Sequence, residues 1–319
     1  MSEEKGFPDF SKLEQRSIKN RHSLVNIKGF ASPVKAGSEI GALWNSIPDI
    51  LAGKALKDAV KAVSFAFNNH KPVIFATGAH LIKVGLSPLI IDLIQSGIIK
   101  GIALNGAGII HDLEIAFHGE TSEDVEKEIA CGTFGLTEET ASYINDAIND
   151  GVKKGEGIGS SISRLIGESN FKYKDKSILS ACWEQNIPVT VHVAIGTDIT
   201  HISPNADGSS IGEGSFKDFK TFIANLAELN DGGVFINVGS AVIIPEVFLK
   251  AVSAIRNLGR TFENVTTIVF DFIKQYRAEQ NVVSRPIKES GKGFYIVGHH
   301  ELTIPLFCAL IKEEILRSP

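Results

Sequence analysis

Short, continuously apolar runs alternate with longer amphipathic stretches from residue 71 onward. Six of these runs have the length and the bounding residues of buried strands, and they cover residues 72–76, 101–104, 189–195, 233–238, 265–271 and 293–297. Strands that are apolar on both faces and separated by helical stretches are typical of a parallel sheet with helices on both sides. The pattern therefore predicts an α/β protein built on one parallel sheet.

The part of the chain before the first strand has a different pattern. Residues 1–35 carry many charges and little periodicity, which predicts an N-terminal arm that is mobile or packed on a neighbouring subunit. Residues 36–70 have helical periodicity, which Pro48 is expected to interrupt. We therefore expect an arm over 1–35 and a single α/β domain over 36–319.

Composition and charge restrict the class of partner. The 319 residues are 43% hydrophobic, which is enough for a large core. The net charge of -5 and the lack of a Lys/Arg block disfavour nucleic acid and acidic membranes. A polar N-terminus, no apolar run of membrane-spanning length and three scattered cysteines predict a cytoplasmic protein without a disulfide framework or structural zinc. A small-molecule ligand is the expected partner.

Glycine-bearing turns or polar clusters follow five of the predicted strands. Ligands of open parallel sheets bind beyond the carboxyl ends of the strands, where glycine allows close backbone approach and helix N-termini favour anions. The alternative is that such connections need glycine for their own geometry. No GxGxxG follows a strand and no phosphate-binding P-loop is present, so the turns indicate a nucleotide-type site without a standard motif.

Histidines and acids concentrate at the same strand ends. The histidines that follow predicted strands are His80, His111, His201, His299 and His300. Histidine suits proton transfer near neutral pH and also binds metals, but no HxH or HExxH spacing is present and we predict no metal site. Asp112 and Asp198 are acidic candidates, although Asp112 could equally cap a helix. The acidic stretch 120–128 predicts a solvated helix start capped by Thr121 or Ser122.

The stretch from residue 85 to 117 resembles the deoxyhypusine synthase family. The carrying segments are Leu-Ser-Pro-Leu-Ile-Ile-Asp-Leu-Ile-Gln (86–95) and Asn-Gly-Ala-Gly-Ile-Ile-His-Asp-Leu (105–113), followed in order by Gly-Thr-Asp (196–198), Asn-Val-Gly-Ser (237–240) and Gly-His-His-Glu-Leu (298–302). The resemblance covers roughly residues 71–310. It implies a Rossmann-like, NAD-binding fold and a homotetramer.

In that family an aminobutyl group passes from spermidine to a protein lysine through an imine on an enzyme lysine. His111 stands where the family has a glutamate at the cofactor and polyamine site. The resemblance also implies cofactor contacts at Ala79, His80, Leu81, Ile82, Lys83, Asn105, Gly106, Ala107, Asp198, His299 and His300.

The sequence departs from the family where the chemistry takes place. Ile110 and His111 replace the paired glutamates, and the family's lysine loop is shortened to residues 281–292. Lys288 or Lys292 could stand in for the imine lysine, or be an ordinary surface lysine. Because a buried amine needs negative charge, the lost carboxylates weaken the case for a polycation, and Arg285 suits a carboxylate or phosphate.

These observations predict an NAD-dependent transferase that acts on a small amine or polyamine-like substrate. His111 is the expected proton-transfer residue, with Asp112 or Asp198 orienting groups and Lys292 as the imine candidate. Two alternatives remain open. One is a histidine-based hydrolase or lyase, with or without a metal, and the other is a nucleotide-binding protein without catalysis.

Overall fold

The computed structural model describes residues 7–318, and its centre is a six-stranded parallel sheet. The strand order is β3-β2-β1-β4-β5-β6. The strands are β1 (Val73–Thr77), β2 (Gly101–Asn105), β3 (Val189–His192), β4 (Val234–Val238), β5 (Thr266–Asp271) and β6 (Lys292–Val297). All six predicted strands are confirmed, and the protein is an α/β protein with a Rossmann-like sheet.

Helices cover both faces of the sheet, as the apolar runs predicted. They are α1 (Ile40–Ser46), α2 (Leu51–Asn68), α3 (His80–Lys83), α4 (Ser87–Gln95), α5 (Gly106–His118), α6 (Val125–Cys131), α7 (Glu138–Lys153), α8 (Ile158–Glu168), α9 (Ile178–Glu184), α10 (Gly208–Ala227), α11 (Ile243–Asn257), α12 (Tyr276–Ala278) and α13 (His300–Arg317). Alternate residues of a strand point to opposite faces. On β1, Phe75 packs with α2 and α13, whereas Ile74 packs on the face that α10 and α11 cover.

The third strand is shorter than its apolar run. The predicted strand extends to residue 195, but β3 ends at His192. The hydroxyl and the backbone N–H of Thr197 both donate to the carbonyl of Ala194, at 2.7 and 3.0 Å, so the chain turns there. Because β3 is an edge strand paired with β2 alone, the turn breaks pairing on one side only.

The sheet grows in opposite directions from β1 and β4, which are neighbours. Strands β2 and β3 follow on the side of β1, and β5 and β6 follow on the side of β4, so the chain changes direction at this point. The turns that follow β1 and β4 are so close that a Cβ on Gly78 would lie 2.9 Å from the carbonyl oxygen of Gly239. Gly239 also has a φ of +63°, which favours glycine. In open α/β sheets this switch point is where a ligand crevice forms.

The segment before α1 lies along the surface from residue 7 onward, and residues 1–6 of the predicted arm lie outside the described part. Three short 3-10 turns form it, each capped by a polar side chain: Asp9, Ser17 and Asn26. The N–H of Asp49 donates to the carbonyl of Gly29 at 3.0 Å. Within residues 7–318 no helix is both long and apolar enough to cross a membrane.

Candidate functional site

A cavity of about 180 Å³ opens beyond the carboxyl ends of β2 and β3. Four residues of the predicted site line it together, namely Lys83, Ala107, His111 and Asp198. The other lining residues are Ile110, Glu114, Ser122, Glu123, Val125, Phe134, Thr137, Thr197 and Ile199. The parallel strands bring these distant segments to one edge of the sheet, as expected for this fold.

A hydrogen-bonded chain holds the His111 ring. The hydroxyl of Thr121 donates to Glu114 Oε2 at 2.5 Å, and His111 Nδ1 lies 2.6 Å from the same hydroxyl oxygen. Because the hydroxyl proton is given to Glu114, Thr121 Oγ1 accepts the hydrogen bond from Nδ1–H. This arrangement fixes the tautomer and leaves Nε2 of His111 with a lone pair, as a general base requires.

Glu114 is the ionised end of this chain. Its other oxygen accepts a hydrogen bond from the hydroxyl of Thr140 at 3.0 Å. Burial alone would raise the pKa of Glu114, but the nearby His111, whose Nδ1 lies 3.7 Å away, and the hydrogen bonds from Thr121 and Thr140 outweigh it and lower the pKa. The carboxylate is therefore charged at neutral pH.

Asp198 brings a second carboxylate to the cavity, and one of its oxygens is unpaired. Its side chain is only 8% exposed, and Oδ2 is buried without a hydrogen-bond partner. His201 Nε2 lies 3.8 Å from this oxygen, and burial raises the pKa of Asp198 although His201 opposes the rise. A buried acceptor without a donor is costly, so this oxygen fits a group that a ligand supplies.

Gly106 and Asn105 act on the backbone beside Asp198. A Cβ on Gly106 would lie 1.9 Å from Asp198 Oδ2, so only glycine lets the carboxylate rest against the first turn of α5. The side-chain oxygen of Asn105 accepts a hydrogen bond from the N–H of Gly108 at 2.9 Å and caps α5.

Asp112 does not line the cavity. It is fully buried and accepts hydrogen bonds from the Ser177 hydroxyl at 2.5 Å and from the N–H groups of Ile178 and Leu179 at 2.9 and 3.1 Å. These contacts tie α5 to the start of α9, while burial raises the pKa of Asp112 to about 6. Asp112 is not an N-cap as the alternative expected, because it lies inside α5, whose cap is Asn105, and the cap of α9 is Ser177; its carboxylate instead accepts from the first N–H groups of α9.

Lys292 lies at the opposite edge of the sheet. It is the first residue of β6, whereas the cavity lies beyond the carboxyl ends of the strands. Its side chain lines a broad groove with Lys54, Lys61 and Lys71. The structure therefore does not bring Lys292 together with His111, and Lys83 is the lysine that lines the cavity.

The remaining predicted residues follow β1 and β6. Leu81 and Ile82 are buried in the core, Ala79 is half-buried, and His299 is exposed before α13. His300 is 1% exposed and its ring centroid lies 5.2 Å from that of His80. Together with Asp271 at the end of β5 these two histidines form a group of titratable side chains, which we term the His300 cluster.

Two residues of the site escaped the sequence analysis. Thr121 and Glu123 belong to the acidic stretch 120–128, which predicted a helix capped by Thr121 or Ser122. That prediction was wrong, because α6 begins at Val125 with Asp124 as its cap. The many polar residues before α6 were the signal in the sequence that this stretch contributes side chains to the site besides starting the helix.

No metal-binding constellation accompanies the cavity in the described residues. Within 7–318, no group of three or more His, Cys, Asp or Glu side chains is arranged to hold a metal ion.

Similarity to known proteins is confined to structure. No protein-family model matches the chain, and no curated protein matches it. The fold is similar to that of a conserved, provisionally assigned LOR/SDH protein from Methanococcus maripaludis S2, with 16% identity, a TM-score of 0.52, and coverage of 82% of this chain and 70% of that one. It is also similar to AgrE in a ternary complex with ornithine and NAD+, with 14% identity, a TM-score of 0.50, and coverage of 83% and 33%.

A provisionally assigned deoxyhypusine synthase from Entamoeba histolytica matches with 11% identity and a TM-score of 0.48, over 86% of this chain and 93% of that one. This chain spans about one third of the AgrE chain. At these identities the similarity to the LOR/SDH protein and to AgrE concerns the fold alone, and the resemblance to deoxyhypusine synthases in sequence stays a resemblance.

Proposed function

We propose that this protein is an enzyme that binds NAD at the carboxyl edge of its sheet and acts on a small amine. The observation that carries the proposal is one cavity in which an oriented histidine, His111, faces the same space as the unpaired carboxylate of Asp198. The NAD+ complex of AgrE supports the choice of cofactor, because AgrE shares this fold.

The cavity offers partners for parts of a dinucleotide. Lys83, at the end of α3, supplies a cation at the cavity that suits a phosphate group. Asp198 Oδ2 accepts a hydrogen bond from a ribose hydroxyl, the role that an acidic residue plays in this fold class. When bound, the nicotinamide supplies a hydride acceptor.

The charges of the cavity favour a cationic substrate. Three carboxylates line it, from Glu114, Glu123 and Asp198, against the single positive charge of Lys83. An ammonium group beside His111 Nε2 is stabilised by these carboxylates and gives its proton to the ring. Glu114, acting through Thr121, then stabilises the charged imidazole. We propose a transferase as the reaction type, on the sequence resemblance, with a homotetramer as the working assembly.

Isothermal titration of the purified chain with NAD+ and NADH tests the cofactor. We expect binding by the wild-type protein and binding weakened at least about tenfold in Asp198→Ala, which removes the acceptor. Asp175→Ala is the matched control, because Asp175 is an exposed aspartate paired only with Lys176. Absence of NAD+ and NADH binding in the wild-type protein would overturn the proposal.

The chemical step is tested separately. Small diamines and amino acids are supplied with NAD+ and a second amine as acceptor, and the transfer product is followed by mass spectrometry, because a transfer without net oxidation leaves no reduced cofactor to measure. For any amine that supports turnover, His111→Gln should lower kcat by about 10²–10⁴-fold, the usual contribution of a general base. Unchanged kcat in this variant would remove His111 from the mechanism and leave the binding proposal standing.

A further inference from the structure

Helix α6 and the polar stretch before it are only loosely attached to the rest of the molecule. None of the residues of α6 is buried, and Val125 and Ile129 are 51% and 61% exposed. From residue 119 to residue 134 no side chain is more than half-buried. A helix of two turns is not stable without packing partners, so this part of the chain is expected to open locally at low cost.

Glycines in the left-handed backbone conformation lie at both ends of this part of the chain. Gly119 has a φ of +88° and ends α5, and Gly135 has a φ of +77° and follows α6. Glycine at the ends of a moving segment absorbs changes in φ and ψ that residues with a Cβ resist. We term residues 119–135 the lid segment.

The lid segment forms one wall of the cavity of about 180 Å³ that His111 also lines. It contributes the lining residues Ser122, Glu123, Val125 and Phe134. Because a ligand must enter and leave, a loosely held segment over a ligand cavity is expected to have an open and a closed position. The structure shows the closed one, in which the lid segment completes the cavity wall.

The lid segment is also joined to the His111 ring. In the part of the chain that the structure describes, the Thr121 hydroxyl makes the only hydrogen bonds that connect residues 120–134 to residues outside the lid segment. It accepts from His111 Nδ1 and donates to Glu114. Opening of the lid segment therefore removes the group that fixes the tautomer of His111.

We propose that the lid segment couples closure of the cavity to the orientation of its base, so that His111 is held in the Nδ1–H tautomer only while the lid segment is closed. This inference rests on the proposed function, since it takes His111 as the base. Nε2 of His111 is then set to accept a proton only when the lid segment encloses the ligand and excludes water. Thr121 is a positioning residue in this scheme, because it acts through His111.

Two measurements on the ligand-free protein test the coupling. Amide hydrogen exchange reports opening of the lid segment, and the ¹⁵N chemical shifts of the His111 imidazole report its tautomer. In the wild-type protein we expect the amides of α6 to exchange at least about 100-fold faster than those of α5, whose inner face is buried in the core. The ring should be mainly in the Nδ1–H form.

Gly135→Ala displaces the lid segment without touching His111. An added Cβ would lie 2.8 Å from the Cβ of Ile199, which also lines the cavity. We expect exchange of the α6 amides to rise at least about fivefold, because opening relieves this contact and the backbone strain of a left-handed alanine. The ¹⁵N shifts of His111 should move toward a mixture of tautomers. Gly259→Ala is the matched control, since Gly259 has a φ of +75° with nothing within 4 Å of an added Cβ, and it should change neither measurement.

Glu123→Ala gives the same test without strain in the backbone. Glu123 Oε1 accepts the N–H of Gly135 at 2.9 Å and so joins the two ends of the lid segment. Wild-type α6 amides that exchange as slowly as those of α5 would overturn the inference. So would faster α6 exchange in the two variants with an unchanged His111 tautomer. Neither measurement uses NAD+, so these results leave the proposed function standing, and a wild-type protein that fails to bind NAD+ overturns the proposed function without changing them.

Discussion

Removing the charge of Asp198 is predicted to make the protein more stable and to weaken its binding of NAD+. Asp198→Asn keeps the size of the side chain and its ability to cap the turn that follows, but it removes the buried charge. The amide leaves a neutral polar group where the charged oxygen stood, and an unsatisfied buried group costs about 1–3 kcal/mol when neutral and more when charged, while His201 at 3.8 Å offsets part of the cost of the charge. We therefore expect the ligand-free variant to gain about 1–2 kcal/mol in free energy of unfolding while it binds NAD+ more weakly.

Differential scanning calorimetry gives the size of the gain. With about 2 cal/mol/K of unfolding entropy per residue, a chain of 319 residues converts 1–2 kcal/mol into a rise in Tm of about 1.5–3 °C. Asp175→Asn, at an exposed position, should leave Tm unchanged.

The pH dependence has a definite sign. Burial raises the pKa of Asp198 in the folded protein above its unfolded value, so the folded state holds this proton more tightly. The penalty for the charged form is absent below the unfolded pKa of about 4 and grows as pH rises through the folded pKa. The advantage of Asp198→Asn should therefore be present at pH 8 and shrink toward pH 4. A Tm that falls in the variant, or a gain that does not change with pH, would refute the argument that Oδ2 is unpaired.

Three further sets of substitutions distinguish residues that contact the ligand from residues that only hold the site in place. Asp112→Ala should lower the free energy of unfolding by about 3 kcal/mol, since the N–H groups at the start of α9 lose their acceptor, and should leave NAD+ affinity per folded molecule unchanged; weaker binding without loss of stability would contradict this. Thr121→Val should release the His111 ring from its single tautomer, which the ¹⁵N chemical shifts of the imidazole report, and a ring that keeps the Nδ1–H form would show that Thr121 does not hold it. Lys292→Ala should leave NAD+ affinity unchanged by calorimetry, whereas Lys83→Met should weaken it; the reverse outcome would place the site at the other edge of the sheet.

The fold was predictable because five of its six strands are buried on both faces. Runs such as 72–76 and 265–271 must pack against apolar side chains above and below, and only a parallel sheet between helix layers offers that. The exception was the third strand, whose apolar run is longer than the strand. Ala194 and Thr197 form a turn by local hydrogen bonds, and apolar content alone does not reveal such a turn.

The site was predictable only where topology decides it. His111 and Asp198 follow adjacent strands of a parallel sheet, so their proximity follows from strand order. The direction of a side chain on a helix is a different matter. Asp112 is next to His111 in sequence, but successive helical residues point about 100° apart, and Asp112 faces α9 instead of the cavity. Lys292 does not reach the cavity for a related reason. The shortened loop places it at the amino end of β6, whereas the cavity lies beyond the carboxyl ends of the strands.

Because Gly106 lies so close to Asp198, the residue type at one of these positions limits the residue type at the other, although they are 92 residues apart in the chain. A methyl group at position 106 would occupy the place of the carboxylate oxygen, so an aspartate at 198 must turn away from α5 when residue 106 carries a side chain. A substitution at position 106 is therefore expected to move the acceptor without changing residue 198. Related sequences that keep the acceptor in this place should have glycine at 106 and aspartate at 198 together.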